Sequence, residues 1–372
     1  MKVLFVPDSF KGSLTSLEAA YILEEVFQGE YPEAACHSIP IADGGEGTVD
    51  AFVSVLGGEK VPCETQGPLG EKVASFYGIA PGNVAIVEMA ASAGLALMKD
   101  KDPLSASTYG VGELIRHALD RGATSILLGL GGSATNDGGA GAAAALGARF
   151  FRADGTEFIP AGGTLHAIDA VDLSELHPRL STCDLRALYD IDNPLLGERG
   201  AARVFSPQKG ATPEQVEFLE EGLRHFSTFL PQESRTLSGG GAAGGFGAGA
   251  HGLLGATLQS GMDTLFAYSP LDEYIRDADV IITGEGKMDS QSLAGKAPLA
   301  IARRAKGLDK LVIALVGAYE GEREIFYEEG FDAVFSIVPG ACSIEEAMQN
   351  AAQNLRNTAG NLARLLRKGK RR

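Results

Sequence analysis

Four short apolar runs set the terms for this chain. KVLFVP (2–7), DVIITG (279–284), LVIALVG (311–317) and AVFSIV (333–338) are continuously apolar rather than alternating. A strand that is apolar on both faces must be covered on both, which points to a parallel sheet between layers of helix. Helical patterns lie between the runs. One begins near residue 16, where Thr15 and Glu18 have capping-box spacing. PLAIARRAK and REIFYEEG follow the later runs, and a last helix opens at Ser343 with Glu346 three residues on. Because the runs occupy opposite ends of the chain, one α/β domain is expected to be assembled from both ends.

The middle has a different texture. Residues 59–90 read as short strands joined by turns, followed by a helix around 109–121 and the strand SILLGL. A further helix starts at Thr212-Pro213, with Gln215 at the capping-box position. A length of 372 residues suggests two domains. The expectation is an α/β protein with a discontinuous parallel-sheet domain, 1–62 with 287–372, and an inserted α/β domain, 63–286.

Bulk properties narrow the partners. Apolar residues at 45% and charged residues at 22% are those of a soluble globular chain. A net charge of −16 argues against nucleic acid or an anionic membrane as partner. No run approaches the roughly 18 apolar residues of a membrane span, and Met1 leads straight into KVLFVP without the pattern of a signal peptide. Cys36, Cys63, Cys183 and Cys342 form no CxxC pair, so a reducing, cytoplasmic location is expected. The basic NLARLLRKGKRR reads as a helix end complementing its dipole, followed by a frayed tail.

Glycine is the outlier, with 49 residues gathered in clusters. The densest is GLGGSATNDGGAG (129–141), directly after SILLGL. Gly129, Gly131 and Ala134 fit a dinucleotide fingerprint, and Asp154 lies about twenty residues on. That reading would make the chain an NAD-dependent oxidoreductase. Against it, TNDGGAG stands where the helix should begin. No G-x-x-x-x-G-K-[ST] string exists, so a classical triphosphate loop is excluded. Read as a ligand loop, the glycines would let the backbone approach an anion while SATND supplies polar groups.

Four more polar segments accompany it. PDSFKGSLTS carries Asp8, Ser9, Lys11 and Ser13, and ADGGEGT carries Asp43 and Glu46. YDIDNPLLG carries Asp190, Asp192 and Asn193. TGEGKMDSQS supplies Glu285, Asp289 and Gln291, with Lys296 just beyond. Any one could be a turn or a helix cap. Together, carboxylates beside Lys11, Lys209, Lys287 and Lys296 suit phosphoryl transfer. Carboxylates can hold Mg²⁺, lysines and amides neutralise phosphate, and an Asp can take the acceptor's proton. The histidines show no zinc spacing, and no G-x-S-x-G elbow occurs.

VPDSFKGSLTS, IADGGEGT, GLGGSATNDGGAG, DIDNPLLG, PQKGA, GAAGGFGAG and ITGEGKMDSQS, in this order, closely resemble the bacterial glycerate kinase family from Met1 to about residue 365. The resemblance implies two α/β domains, one inserted in the other, with the active site in the cleft between them. It implies ATP- and Mg²⁺-dependent phosphorylation of D-glycerate at the C2 hydroxyl, with C3 the alternative, in a monomer or small homo-oligomer. Carried over residue by residue, Asp190 would be the base and Lys11 would contact phosphate. Ser133, Thr135, Asn136, Asp137, Asp43, Glu46 and Asn193 would bind substrate. Asp8, Ser9, Ser13, Gly284, Glu285, Gln291 and Lys296 would hold nucleotide, and Asp289 with Glu285 the metal. A sensor that binds glycerate without turnover is the non-enzymatic alternative, which the retained Lys11, Asp190 and Glu285 oppose. Two departures stand at motif edges, Ser206 for a glycine and Ser238 for a proline; they bear on the rigidity of the nucleotide loop.

Overall fold

The computed structural model describes residues 1–42, 44–289, 297–321 and 323–369. Its strands, numbered along the chain, are β1 (Lys2–Pro7), β2 (Ala35–Ser38), β3 (Glu59–Gln66), β4 (Lys72–Ala80), β5 (Val84–Glu88), β6 (Ser125–Gly129), β7 (Arg149–Phe151), β8 (Glu157–Phe158), β9 (Ala170–Asp172), β10 (Asp184–Tyr189), β11 (Thr257–Ser260), β12 (Val280–Met288), β13 (Leu311–Tyr319) and β14 (Ala333–Ser336). The chain divides into two compact units. One is Met1–Ala42 with Asp50–Leu56 and Met262–Arg372; the other is Asp43–Val49 with Gly57–Gly261.

The first unit holds a five-stranded sheet in the order β14-β13-β12-β1-β2, and every pairing is parallel. The apolar runs are its central strands. Val3 and Phe5 of β1, Ile282 of β12 and Leu315 of β13 are buried with Leu23 and Phe27 from helix Ser16–Glu30. Leu355 and Leu362 of helix Ala351–Gly369 join the same core. The capping boxes at Thr15/Glu18 and Ser343/Glu346 both form. The strands run further than their apolar cores: β12 continues through Thr283, Gly284, Glu285 and Lys287 to Met288. What reads in sequence as a loop after a strand is therefore largely strand.

The second unit holds a six-stranded sheet in the order β11-β10-β6-β5-β4-β3. β11, β10, β6 and β5 are parallel, while β4 runs antiparallel to both β5 and β3. Val87, Ile126, Leu128 and Ala187 of this sheet are buried with Leu114 and Ile115 from helix Tyr109–Asp120. Leu223 and Phe226 from helix Pro213–Ser227 belong to the same core. A small antiparallel sheet, β8-β7-β9, completes the unit.

The sequence boundaries at 62/63 and 286/287 fall inside β3 and β12. β3 pairs with β4 along its whole length, and β12 pairs with β1 and β13. The compact units themselves divide at 42/43, 49/50, 56/57 and 261/262.

Candidate active site

In the second unit the chain leaves β6 at Gly129 and immediately crosses another segment at backbone distance. Gly131 N donates to Gly44 O (2.8 Å) and Leu130 N to Leu188 O (3.1 Å). A Cβ on Gly131 would stand 2.4 Å from the Cα of Gly45, and one on Gly129 would stand 2.6 Å from Gly44 O. A second glycine-rich stretch, LSGGGAAGGFGAGAHG (237–252), closes on the same loop from elsewhere. A Cβ on Gly244 would meet Thr135 O at 2.1 Å, and one on Gly249 would meet Gly138 O at 1.8 Å. These glycines let chain approach chain.

The polar side chains of the loop have separate fates. Asp137 is fully buried and turned inward. Its Oδ2 accepts from Thr108 N (2.8 Å), Thr108 Oγ1 (2.9 Å), Gly141 N (3.3 Å) and Ser107 Oγ (3.4 Å), and its Oδ1 from Gly139 N (3.1 Å). Burial pushes its pKa up, and the Thr108, Gly139 and Gly141 donors oppose that. With both oxygens engaged, Asp137 fastens the loop to Thr108; it is a brace, and the substrate-binding role drawn from sequence does not suit it.

Ser133, Thr135 and Asn136 behave otherwise. They are brought together with Lys209, which the sequence offered only as one of four lysines suited to neutralising phosphate and which the residue-by-residue assignment left out. That lysine is 2% exposed, and its Nζ donates to Ser133 Oγ (2.7 Å) and Thr135 O (2.6 Å). Burial brings its pKa down from 10.5 to about 7, with the Asp137 charge acting in the other direction. Thr135 and Asn136 are fully buried, yet Thr135 Oγ1 and both polar atoms of the Asn136 amide bond no described residue. Orphaned buried polar atoms cost about 1–3 kcal/mol each, and three on consecutive residues beside a buried ammonium need a polar ligand or ordered water to satisfy them.

The segment after β10 approaches from the next strand over. Asp190 is half-buried directly beyond Tyr189. Asn193 spends its amide on Arg199 O (2.8 Å), and Asp192 pairs with Arg199 (2.6 Å). Glu220, fully buried on helix Pro213–Ser227, accepts from Gly197 N (2.9 Å) and Arg224 (3.2 Å). Asn193 and Glu220 thus brace this loop. Ser206 is buried in the turn: its hydroxyl donates to Ala202 O, and Lys209 N donates to Ser206 O (3.0 Å). Ser238 is exposed.

In the first unit the ends of β1 and β12 lie side by side, with Pro7 opposite Gly284. Asp8 is buried and accepts from Ser9 N (2.6 Å), and its own N–H donates to Gly284 O (2.9 Å). Ser13 Oγ donates to Phe10 O (2.8 Å), and Lys11 is exposed. Gly284 sits within the ladder, where a Cβ would come 2.0 Å from Leu315 O. Glu285 is buried beside it. Asp289 lies past the end of the strand, 3.5 Å from Lys287, whose Nζ also pairs with Glu320 (2.6 Å). Glu46 is exposed. Asp43, Gln291 and Lys296 lie outside the described residues.

Among the described residues, no three His, Cys, Asp or Glu side chains gather as a metal cage. Glu285 and Asp289, four residues apart along an extended segment, are separated by roughly 13 Å of backbone. Carboxylates spaced this widely fit Mg²⁺ that enters on nucleotide phosphates, which commonly takes only one or two protein ligands.

The dinucleotide alternative fails on geometry. After β6 the helix begins only at Ala140, and Asp154 is an exposed turn residue between the antiparallel β7 and β8, bonded to Thr156 N (2.9 Å). A parallel sheet in which the loop after one strand carries unsatisfied polar groups against a buried ammonium describes an α/β enzyme for a small polar substrate. A model of the glycerate kinase family matches residues 3–367. The glycerate kinase of Bacillus subtilis (strain 168) is 43% identical over 98% of this chain and 97% of its own. The glycerate 2-kinase of Escherichia coli (strain K12) is 42% identical over 100% and 99%. A crystal structure of a putative glycerate kinase 2 from Salmonella typhimurium LT2 superposes with a TM-score of 0.85, at 43% identity and full coverage of both chains. This chain belongs to the glycerate kinase family. Among the described residues, no helix is long and apolar enough to cross a membrane.

Proposed function

We propose that this chain transfers the γ-phosphoryl group of ATP to the C2 hydroxyl of D-glycerate, giving 2-phosphoglycerate and ADP. The observation that carries this reading is end-to-end similarity, at 42% identity, to a protein named glycerate 2-kinase. The orphaned polar atoms of Thr135 and Asn136 support it, since a hydroxy acid offers both donors and acceptors to them.

In this reading Ser133, Thr135 and Asn136 hold glycerate after β6. Asp190, at the end of the adjacent β10, accepts the hydroxyl proton as the phosphoryl group departs from ADP. Lys11 contacts phosphate, while Asp8, Ser9, Ser13 and Glu285 surround the nucleotide. Mg²⁺ bound with ATP, by Glu285 or Asp289, would neutralise phosphate charge. D-glycerate and ATP are its partners, and it acts in the cytoplasm as a monomer or small homo-oligomer.

The test is to incubate the protein with Mg-ATP and D-glycerate and identify the products by phosphorus NMR. ADP with 2-phosphoglycerate is expected. Formation of 3-phosphoglycerate alone would overturn the position, and ADP no higher than in a glycerate-free control would overturn the kinase reading.

A further inference from the structure

Lys209 is used by none of the steps above, yet it is an almost wholly buried ammonium. An ammonium carries three donors. Two are spent on neutral acceptors, Ser133 Oγ and Thr135 O. Among the described residues its charge has no counter-ion in contact: Asp137 faces it from the loop before helix Ala140–Ala145, but that carboxylate is held by five internal donors. Lys101 faces the same turn from the other side, is exposed, and directs its Nζ to Gln208 O (2.9 Å). A buried charge without a partner is expensive. Here it lies on the residues that also leave a hydroxyl and an amide unsatisfied.

We propose that Lys209 is the residue that receives the substrate's carboxylate, its ammonium meeting glycerate beside the Thr135 hydroxyl and the Asn136 amide. The proposal rests on the glycerate kinase reading and adds to it a named carboxylate partner. One cation suits one carboxylate; a polyphosphate would call for several cations, and the nearest other charge facing Lys209 is the negative Asp137. Ser133, at 9% exposure, is the rim of the cluster.

The arrangement has a proton signature. Burial holds the free ammonium near pH 7, and an anion placed against it favours the charged form. Binding of glycerate should therefore draw about 0.9 proton per site at pH 8 and only about 0.1 at pH 6.

Calorimetric titration of the full-length protein with D-glycerate, in two buffers of different ionisation heat and without nucleotide, reads this directly. A parallel titration with a non-hydrolysable ATP analogue alone provides the second arm. Uptake near one proton with glycerate at pH 8, absent with the analogue, is the expected result. Lys209→Met should abolish the uptake and raise the KM for glycerate about 50-fold or more, with the KM for ATP within about 3-fold. Glycerate binding without uptake in the wild-type protein, uptake on the analogue instead, or an unchanged glycerate KM in an active Lys209→Met enzyme would each overturn the assignment. A variant that does not fold leaves the wild-type titration to decide. Failure of the kinase reading is distinguishable, because the wild-type protein would then release no ADP at all.

Discussion

Lys209→Met also makes a stability prediction that needs no substrate. Folding takes the lysine's pKa from its ordinary 10.5 down to about 7. Between these values the unfolded chain binds more protons than the native one, so stability must rise with pH. The slope is at most about 1.36 kcal/mol per pH unit, and it is roughly halved at the lower end, where the native ammonium is itself half titrated. From pH 7 to pH 9 the gain comes to about 2 kcal/mol. The half-buried thiols of Cys36 and Cys183, pushed up to about 11, drift in the opposite direction as the pH nears 9. They do so equally in both proteins, so the difference between wild type and variant isolates the lysine. At pH 7 the variant should be close to wild type in stability. It escapes the cost of the buried charge, but Ser133 and Thr135 lose a donor, at about 1–3 kcal/mol each. By pH 9 it should be about 2 kcal/mol worse off relative to wild type than at pH 7. Urea unfolding followed by circular dichroism at pH 7, 8 and 9 measures this. Curves that stay parallel to within about 0.5 kcal/mol across the range would show that Lys209 is not a depressed, buried ammonium.

Three further outcomes follow. Asp190→Asn should lower kcat by about 100-fold or more if the carboxylate takes the proton, and steady-state kinetics with near-normal kcat would remove that role. Asn136→Ala, which deletes an amide with no internal partner among the described residues, should raise the glycerate KM about 10-fold or more while leaving thermal stability within about 1 kcal/mol; a large loss of stability at unchanged KM would make the amide structural. Gly249→Ala places a Cβ 1.8 Å from Gly138 O and should cost about 2–3 kcal/mol in urea unfolding; a neutral substitution would contradict the close approach.

Much of the fold is legible in the residues because its determinants are local. Continuous apolar runs mark β1, β12, β13 and β14, and three capping boxes start helices where Thr15, Thr212 and Ser343 place them. β10 is obscured because Arg186 and Tyr189 interrupt its apolar pattern. The length of β12 is obscured because Gly284 and Gly286 look like a turn, while pairing with β1 and β13 decides otherwise. The site is only half legible. Ser133, Thr135 and Asn136 stand out by type, but nothing near Asp137 announces that Thr108 will occupy its carboxylate. Lys209 is visible in PQKGA as a lysine, yet its burial depends on the loop after β6, far away in the chain. Long-range partners of this kind carry no local periodicity.

The two glycine-rich stretches are cut to fit one another. Gly244 clears Thr135 O, Gly249 clears Gly138 O, and Gly138 N donates to Gly244 O (3.1 Å). They therefore form a single unit of inheritance, although distant in sequence. A hybrid that takes residues 129–141 from one relative and 237–252 from another should fold only when both halves of this lock come from compatible parents. Exchanging them as a pair should preserve the packing around Thr135 and Asn136, while Lys209 and Thr108, which lie outside both stretches, must be supplied by the receiving scaffold.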